Sequence, residues 1–184
     1  GNRTEPIYVL EVSDQSGNPL KSSQTQTTNI ISPETAFLIS DVLQDVVRRG
    51  TGWRARVLGR PSAGKTGTTN DNLDAWYIGF IPQLLTGVYV GFDQPRSMGL
   101  HESGSRAAAP IWVEFMKNAE ANLPTQQFPQ PPGIVSVKIH QSGRRAGPCD
   151  LQEEIREEHY KTGTEPQLDV MLNQNCPDQI MESD

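Results

Sequence analysis

The stretch with the most chemistry in it is Ser62-Ala-Gly-Lys65-Thr66-Gly67-Thr68-Thr69-Asn70. A lysine ammonium beside three hydroxyls can bind a carboxylate and assist a proton transfer. On a strand, alternate residues share a face, so Lys65 goes with Gly67 and Thr66 with Thr68. Strand twist and the small Gly67 are expected to let the lysine and the hydroxyls converge on one groove. Gly67 leaves room for a substrate backbone to lie alongside, and a strand N–H can hold an oxyanion. Lys-Thr-Gly-Thr recurs at Lys161–Thr164, followed by Glu165-Pro166.

Several motifs compete for these residues. Gly59-Arg-Pro-Ser-Ala-Gly-Lys-Thr66 fits the phosphate-loop spacing, which works only where a helix opens after the loop and turns its free N–H groups on the phosphates. Here Gly-Thr-Thr-Asn-Asp-Asn and a β-rich run follow, and Pro61 removes one N–H. Ser62-Ala-Gly-Lys65 fits S-x-x-K, which needs a helix to set serine and lysine one turn apart on one face. Gly64 and the β context oppose that. Ser16-Gly-Asn18 fits S-x-N but sits where a hairpin tip is expected.

The elements that must position Lys65–Thr69 can be read around it. Ile7–Val12 is rich in β-branched and aromatic residues and predicts a strand, with a hairpin turn over Ser13–Pro19. Lys21–Thr28 reads as structureless. Ser32, Pro33 and Glu34 start a helix that Arg48, Arg49 and Gly50 end. Ala36, Ile39, Leu43 and Val46, widened by Leu38, Val42 and Val47, mark its expected apolar face. Three strands follow, over Gly64–Thr69, Ala75–Ile81 and Leu85–Phe92, with links short enough for antiparallel neighbours. After a loop over Pro95–Ser105, a second helix is expected from Pro110 to about Ala121, with Ile111, Val113 or Glu114, and Phe115 per turn. Trp76 and Trp112 read as core anchors. Asn-Asp turn chemistry accounts for Asp71 and Asp74, and His101 and Glu102 read as a solvated loop.

Composition limits the rest. The chain has 184 residues, is 35% hydrophobic with 16 Gly and 14 Pro, and carries a net charge of −6. It suits one ordinary domain with long loops. No basic cluster interleaves with aromatics, which argues against nucleic acid. No apolar run approaches the roughly 18–20 residues of a membrane span. Pro124–Gly133 predicts a linker, Ile134–Ile139 a strand, Leu151–Tyr160 an acidic helix capped by Asp150, and Glu165–Asp184 a tail. Lys161–Thr164 then reads as a helix-ending turn far from any sheet. Cys149 and Cys176 are open to pairing or to remaining thiols. With His140 and His159 they fit no standard zinc spacing, and no cofactor is implied.

The residues around the first Lys-Thr-Gly-Thr carry a resemblance. Arg49-Gly-Thr-Gly52, Leu58–Asp71, Asp74-Ala-Trp-Tyr-Ile-Gly-Phe-Ile-Pro82, Gly87-Val-Tyr-Val-Gly-Phe-Asp93, Gly104-Ser-Arg-Ala-Ala-Ala-Pro-Ile-Trp112 and Phe115-Met-Lys117 resemble class A penicillin-binding proteins in order and density. K-T-G is the third of that family's motifs, after S-x-x-K and S-x-N. The resemblance spans Gly1–Leu123; Gly133-Ile-Val135 and Lys161–Pro166 look like the family's C-terminal extension.

What the resemblance implies is a serine DD-transpeptidase that cross-links peptidoglycan stem peptides through an acyl-enzyme and is acylated by β-lactams. The implied fold is α+β, an antiparallel sheet flanked by helices and only partial in this chain. Residues 1–123 would be the C-terminal part of the transpeptidase domain and residues 124–184 a proline-rich linker and extension. Lys65 would be the basic residue of the third motif; Thr66, Gly67, Thr68 and Thr69 would bind substrate; and the Thr68 N–H would serve the oxyanion. Both earlier motifs would lie upstream of Gly1, on a part of the domain that this chain needs as its partner. The parent would add a glycosyltransferase domain and an N-terminal membrane anchor, outside the cytoplasm. The alternatives are a nucleotide-binding module at Gly59–Thr66 and a non-catalytic interaction module with an acidic tail.

Overall fold

Two small antiparallel pairs open the chain. Strand β1 (Asn2–Thr4) pairs with β4 (Thr27–Asn29), and β2 (Glu11–Ser13) with β3 (Pro19–Ser22). The expected hairpin turn forms because Asp14 Oδ1 accepts the N–H groups of Ser16 and Asn18 at 2.8 and 2.9 Å. The expected strand is shorter than Ile7–Val12, since Tyr8 and Leu10 stand exposed before β2 begins. Lys21–Thr28 is not structureless, because β3 ends and β4 begins within it.

Helix α1 (Pro33–Arg48) starts and ends where its sequence sets the caps. In this computed structural model, which describes residues 1–168, Ser32 is extended and its Oγ accepts the Thr35 N–H at 3.3 Å. Arg48 lies in the last turn, at the negative end of the helix dipole. The buried face, however, is Phe37, Asp41, Gln44 and Val47, while Ile39 and Val42 are exposed. Polar residues hold this face because each finds a partner. Asp41 Oδ2 lies 2.8 Å from His159 Nδ1, and Gln44 Oε1 accepts from Arg48 Nη2 at 2.9 Å. Buried polar groups are tolerated when so paired.

Strands β5 (Ala63–Thr68), β6 (Asp74–Ile81) and β7 (Leu84–Gly91) form one antiparallel sheet in that order. Ala75, Tyr77, Gly79 and Ile81 of β6 are buried in alternation. They face helix α2 (Ala109–Ala119), which follows one turn of π-helix over Gly104–Ala108. Trp112 is wholly buried there, and its Nε1 donates to the carbonyls of Gly79 (3.2 Å) and Thr86 (3.1 Å). That anchor sets the phase of α2. Ala109, Trp112, Val113 and Met116 turn inward, and Ile111 and Phe115 remain about half exposed. Trp76 also departs from expectation. It lies on the other face of β6, is 43% exposed, and touches Tyr89 with ring centroids 4.9 Å apart. Strand alternation puts Trp76 and Tyr77 on opposite faces, so only one can reach α2.

Beyond α2, buried Arg60 donates to the carbonyls of Leu123 and Pro124 and holds the start of the proline-rich segment. Phe128 then meets Phe80 edge-on at 5.7 Å. Strand β8 (Ile134–His140) pairs with β9 (Ile155–Lys161) along its whole length. The expected acidic helix over Leu151–Tyr160 is therefore corrected to one turn, Gln152–Glu154, running into a strand. The segment lacks a helical apolar stripe, and β8 offers it a full ladder. The second Lys-Thr-Gly-Thr is corrected with it. Lys161 ends β9, the Thr162 N–H donates to Gly133 O at 2.9 Å, and Lys161 Nζ donates to Thr35 Oγ1 at 2.8 Å. Residues 169–184, including Cys176 and most of the expected tail, lie outside the described residues.

Candidate functional site

Strand β5 is an edge strand, and its two faces have different surroundings. Across the β5–β6 ladder, Lys65 faces Ile78 and Gly67 faces Trp76, while Thr66 faces Tyr77 and Thr68 faces Ala75. Paired residues share a face. Lys65 and Gly67 thus belong to the uncovered face with Trp76, Ile78 and Tyr89, the latter three each between 43% and 47% exposed. Thr66 and Thr68 belong to the face that α2 covers. The lysine and the two hydroxyls, expected to converge, are set on opposite faces by the pleat. Lys65 Nζ turns onto the Thr66 carbonyl at 2.7 Å.

Two segments distant in sequence are brought against the threonines. Thr51 Oγ1 is 2.7 Å from Thr66 Oγ1. Thr68 Oγ1 accepts the Gly104 N–H at 3.1 Å. The next residue, Ser105, accepts from Arg54 Nη1 at 3.4 Å. Thr51, Arg54 and Ser105 were missed as site residues in the sequence reading. Thr51 and Ser105 carried only the signal of membership in the family-like stretches and Arg54 carried none, because pairing across 15 to 51 residues leaves no periodic trace.

Thr69 has a different place. Its hydroxyl accepts the Asp74 N–H at 2.8 Å and donates to Asp74 Oδ2 at 3.3 Å, and its own N–H donates to Asp74 O. It closes the turn in which Asp71 (φ 60°) and Asn72 (φ 53°) take left-handed conformations that Asp and Asn adopt more readily than most. Asp74 Oδ1 also accepts from Tyr89 at 2.7 Å, so Asp71 and Asp74 are turn residues rather than a paired carboxylate site.

The packing behind the strand explains its glycines. The Tyr77 hydroxyl is wedged where a Cβ on Gly64 would lie 2.5 Å away and one on Gly52 3.2 Å away. Any larger residue at Gly64 would displace Tyr77 and with it the register of Lys65–Thr68. Burial pushes the Tyr77 phenol up to about 12. Ser62 is buried and Lys65 exposed. Three apart on an extended chain, they point to opposite sides, so Ser62-Ala-Gly-Lys65 is no nucleophile pair. Thr66 lies inside a strand with no helix opening after it, so Gly59–Thr66 lacks the N–H cradle that a phosphate loop requires. Ser16 and Asn18 are tied to Asp14 at the hairpin tip.

The family model described as penicillin binding protein transpeptidase domain matches residues 1–117. Penicillin-binding protein 1A of Aquifex aeolicus is 41% identical over 76% of this chain and 19% of its own length. That of Pseudomonas aeruginosa is 46% identical over 67% of this chain and 15% of its own. The chain thus spans less than a fifth of these curated relatives. Among solved structures, penicillin-binding protein 1A from Haemophilus influenzae superposes with a TM-score of 0.76 at 30% identity, covering 90% of this chain and 30% of that one. The D,D-transpeptidase domain of a peptidoglycan glycosyltransferase from Eggerthella lenta gives 0.51 at 27%, over 67% and 30%. Matched over residues 1–117, this chain belongs to the penicillin-binding protein transpeptidase domain family.

Proposed function

We propose that this chain supplies the third-motif side of a serine D-Ala-D-Ala transpeptidase site that cross-links peptidoglycan stem peptides and is acylated by β-lactams. In the proposed reaction, a serine oxygen attacks the carbonyl joining two D-alanines, the terminal D-alanine leaves with a proton, and an acceptor amine then displaces the serine. Lys65 is the basic residue of the site. Thr66 and Thr68 bind the carboxylate of substrate or antibiotic, the Thr68 N–H stabilises the oxyanion, and Gly67 gives the substrate backbone room. Thr69 acts from the turn that it closes on Asp74. Carboxypeptidase release, with water in place of the amine, uses the same groups.

The observation that carries this reading is the placement of Lys65-Thr66-Gly67-Thr68 on an edge strand whose lysine face is open and apolar. Trp76, Ile78 and Tyr89 on that face, and Ile39 and Val42 on α1, suit burial by another part of the domain. We assign to that upstream part the serine nucleophile and the second motif, which Ser62 and Ser16 do not provide. Residues 1–123 then belong to the catalytic domain and residues 124–184 to a linker and C-terminal extension. The parent, by this reading, is bifunctional, with a glycosyltransferase domain and a membrane anchor, and works on the outer side of the cytoplasmic membrane.

Fluorescent penicillin with full-length protein tests the proposal. Labelling is expected at a serine outside residues 1–184, and Lys65→Ala is expected to slow it by about 100-fold, the scale of losing one stabilising donor. Unchanged acylation and deacylation in Lys65→Ala would remove Lys65 from the site.

A further inference from the structure

We propose that Asn72 is a positioning residue for the site, acting on Thr68 through residues 98–104. The inference rests on the transpeptidase reading and adds to it a residue that works only through others. Asn72 sits in the β5–β6 turn with φ 53° and makes two bonds to one distant segment. Its carbonyl accepts the Met98 N–H at 2.9 Å, and its Nδ2 donates to the Gly99 carbonyl at 3.0 Å. Asparagine suits both tasks. It adopts the left-handed conformation more readily than most residues, and its amide supplies a donor that an ionised aspartate lacks.

The segment held by Asn72 returns to the strand that carries Lys65–Thr68. Met98 packs against the hydrophobic core. The Glu102 N–H donates to Gly99 O at 3.2 Å, so residues 99–102 close a turn. The Ser103 carbonyl then accepts the N–H groups of Arg106 and Ala107 and starts the π-helical turn. Gly104 lies against Gly67 and Trp76 with no room for a Cβ, and its N–H donates to Thr68 Oγ1 at 3.1 Å. Residues 98–104 are thus fixed at one end to the turn that follows Thr68 and at the other to Thr68 itself. The donor that orients the Thr68 hydroxyl depends for its own place on the Asn72 amide.

The test uses full-length protein carrying Asn72→Asp, Asn72→Gly or Thr68→Val. Asn72→Asp keeps the size and the backbone conformation but turns an acceptor on Gly99 O. It is expected to slow penicillin acylation roughly 10- to 100-fold, the scale of a misplaced site group. The melting temperature should move by less than about 5 °C. Asn72→Gly keeps the positive φ without the amide and should lose a similar factor. Wild-type acylation in either variant would overturn the proposal. In the Thr68→Val background, Asn72→Asp should add less than about twofold, because both changes act on one hydroxyl. Losses that multiply would overturn it. Hydrogen exchange of the Gly104 amide gives a second readout that needs no acylation. It should quicken about tenfold or more in Asn72→Asp while β6 and β7 stay protected. Unchanged Gly104 exchange would overturn the proposal even where Thr68→Val leaves too little acylation to measure. If penicillin labels a serine of the wild type and the Asn72 variants label equally fast, only the role of Asn72 fails. If the wild type is not labelled, the transpeptidase reading fails, and Gly104 exchange alone decides whether Asn72 fixes residues 98–104.

Discussion

Gly104 lies so close against Gly67 that a Cβ on it would stand 2.6 Å from the Gly67 carbonyl oxygen and 2.2 Å from that of Trp76. The start of the π-helical turn is thereby clamped onto the strand that carries Lys65–Thr68, and its N–H reaches Thr68 Oγ1. Gly104→Ala has to push the turn off the strand. A destabilisation of about 1–3 kcal/mol, the usual cost of overpacking, is expected. Penicillin acylation of the full-length protein should fall by more than the stability loss explains, as read by thermal melting and acylation rate on the same preparation.

Tyr77 offers the opposite case. Its hydroxyl is buried without a hydrogen-bond partner among the described residues. Tyr77→Phe is expected to stabilise the domain by roughly 1–2 kcal/mol, because an unsatisfied polar group is removed. The pH dependence has a definite sign. The phenol is raised from 10.0 to about 12 by burial, so its stability contribution is intact below 10 and is lost as pH rises through 12. Alkaline melting should move to higher pH in Tyr77→Phe; an unchanged alkaline midpoint would show that Tyr77 does not limit it.

The β8–β9 hairpin meets α1 through polar contacts and through the edge-on packing of Phe37 against His159. His159 Nδ1 pairs with Asp41 Oδ2, Arg49 with Glu158 at 2.9 Å, and Lys161 with Thr35. A double-mutant cycle of Asp41→Asn and His159→Gln should give a coupling of about 1–2 kcal/mol, as expected for partly buried charged hydrogen bonds. Hydrogen exchange in β9 should rise in both single variants while the β5–β7 sheet stays protected.

The β8–β9 connection contains an acid-sensitive contact. Hydrogen bonds from the Arg144 guanidinium and the Gly147 N–H hold the Asp150 carboxyl down from 3.8 to about 2. A depressed carboxylate contributes order that is present above its unfolded value and lost as pH falls through the folded one. Loop signals of residues 141–150 in an NMR titration should therefore hold at pH 4 and collapse near pH 2. In Asp150→Asn that transition should be absent.

The local features were legible in the sequence because their causes are local. Ser32 and Pro33 set the start of α1, Asp14 its hairpin, and short links force β5, β6 and β7 into antiparallel order. The elements misread were those whose state depends on a distant partner. Leu151–Tyr160 looks helical until β8 is present to pair with it, and the inward phase of α2 is decided by Trp112 reaching Gly79 and Thr86. The faces of α1 and Trp76 were misassigned because apolar residues were taken to face inward within this chain.

By itself the sequence determined that Lys65–Thr68 sits on a strand, that its glycines allow close approach, and that its surroundings match one family. Only the tertiary structure decided that the face shared by Thr66 and Thr68 is the covered one, that the Thr69 hydroxyl bonds Asp74, and that Thr51 meets Thr66 while the Gly104 N–H meets Thr68. The physical reason is one of range. Pleat, caps and turns follow from neighbouring residues, whereas which face is covered, and by what, depends on contacts between segments tens of residues apart.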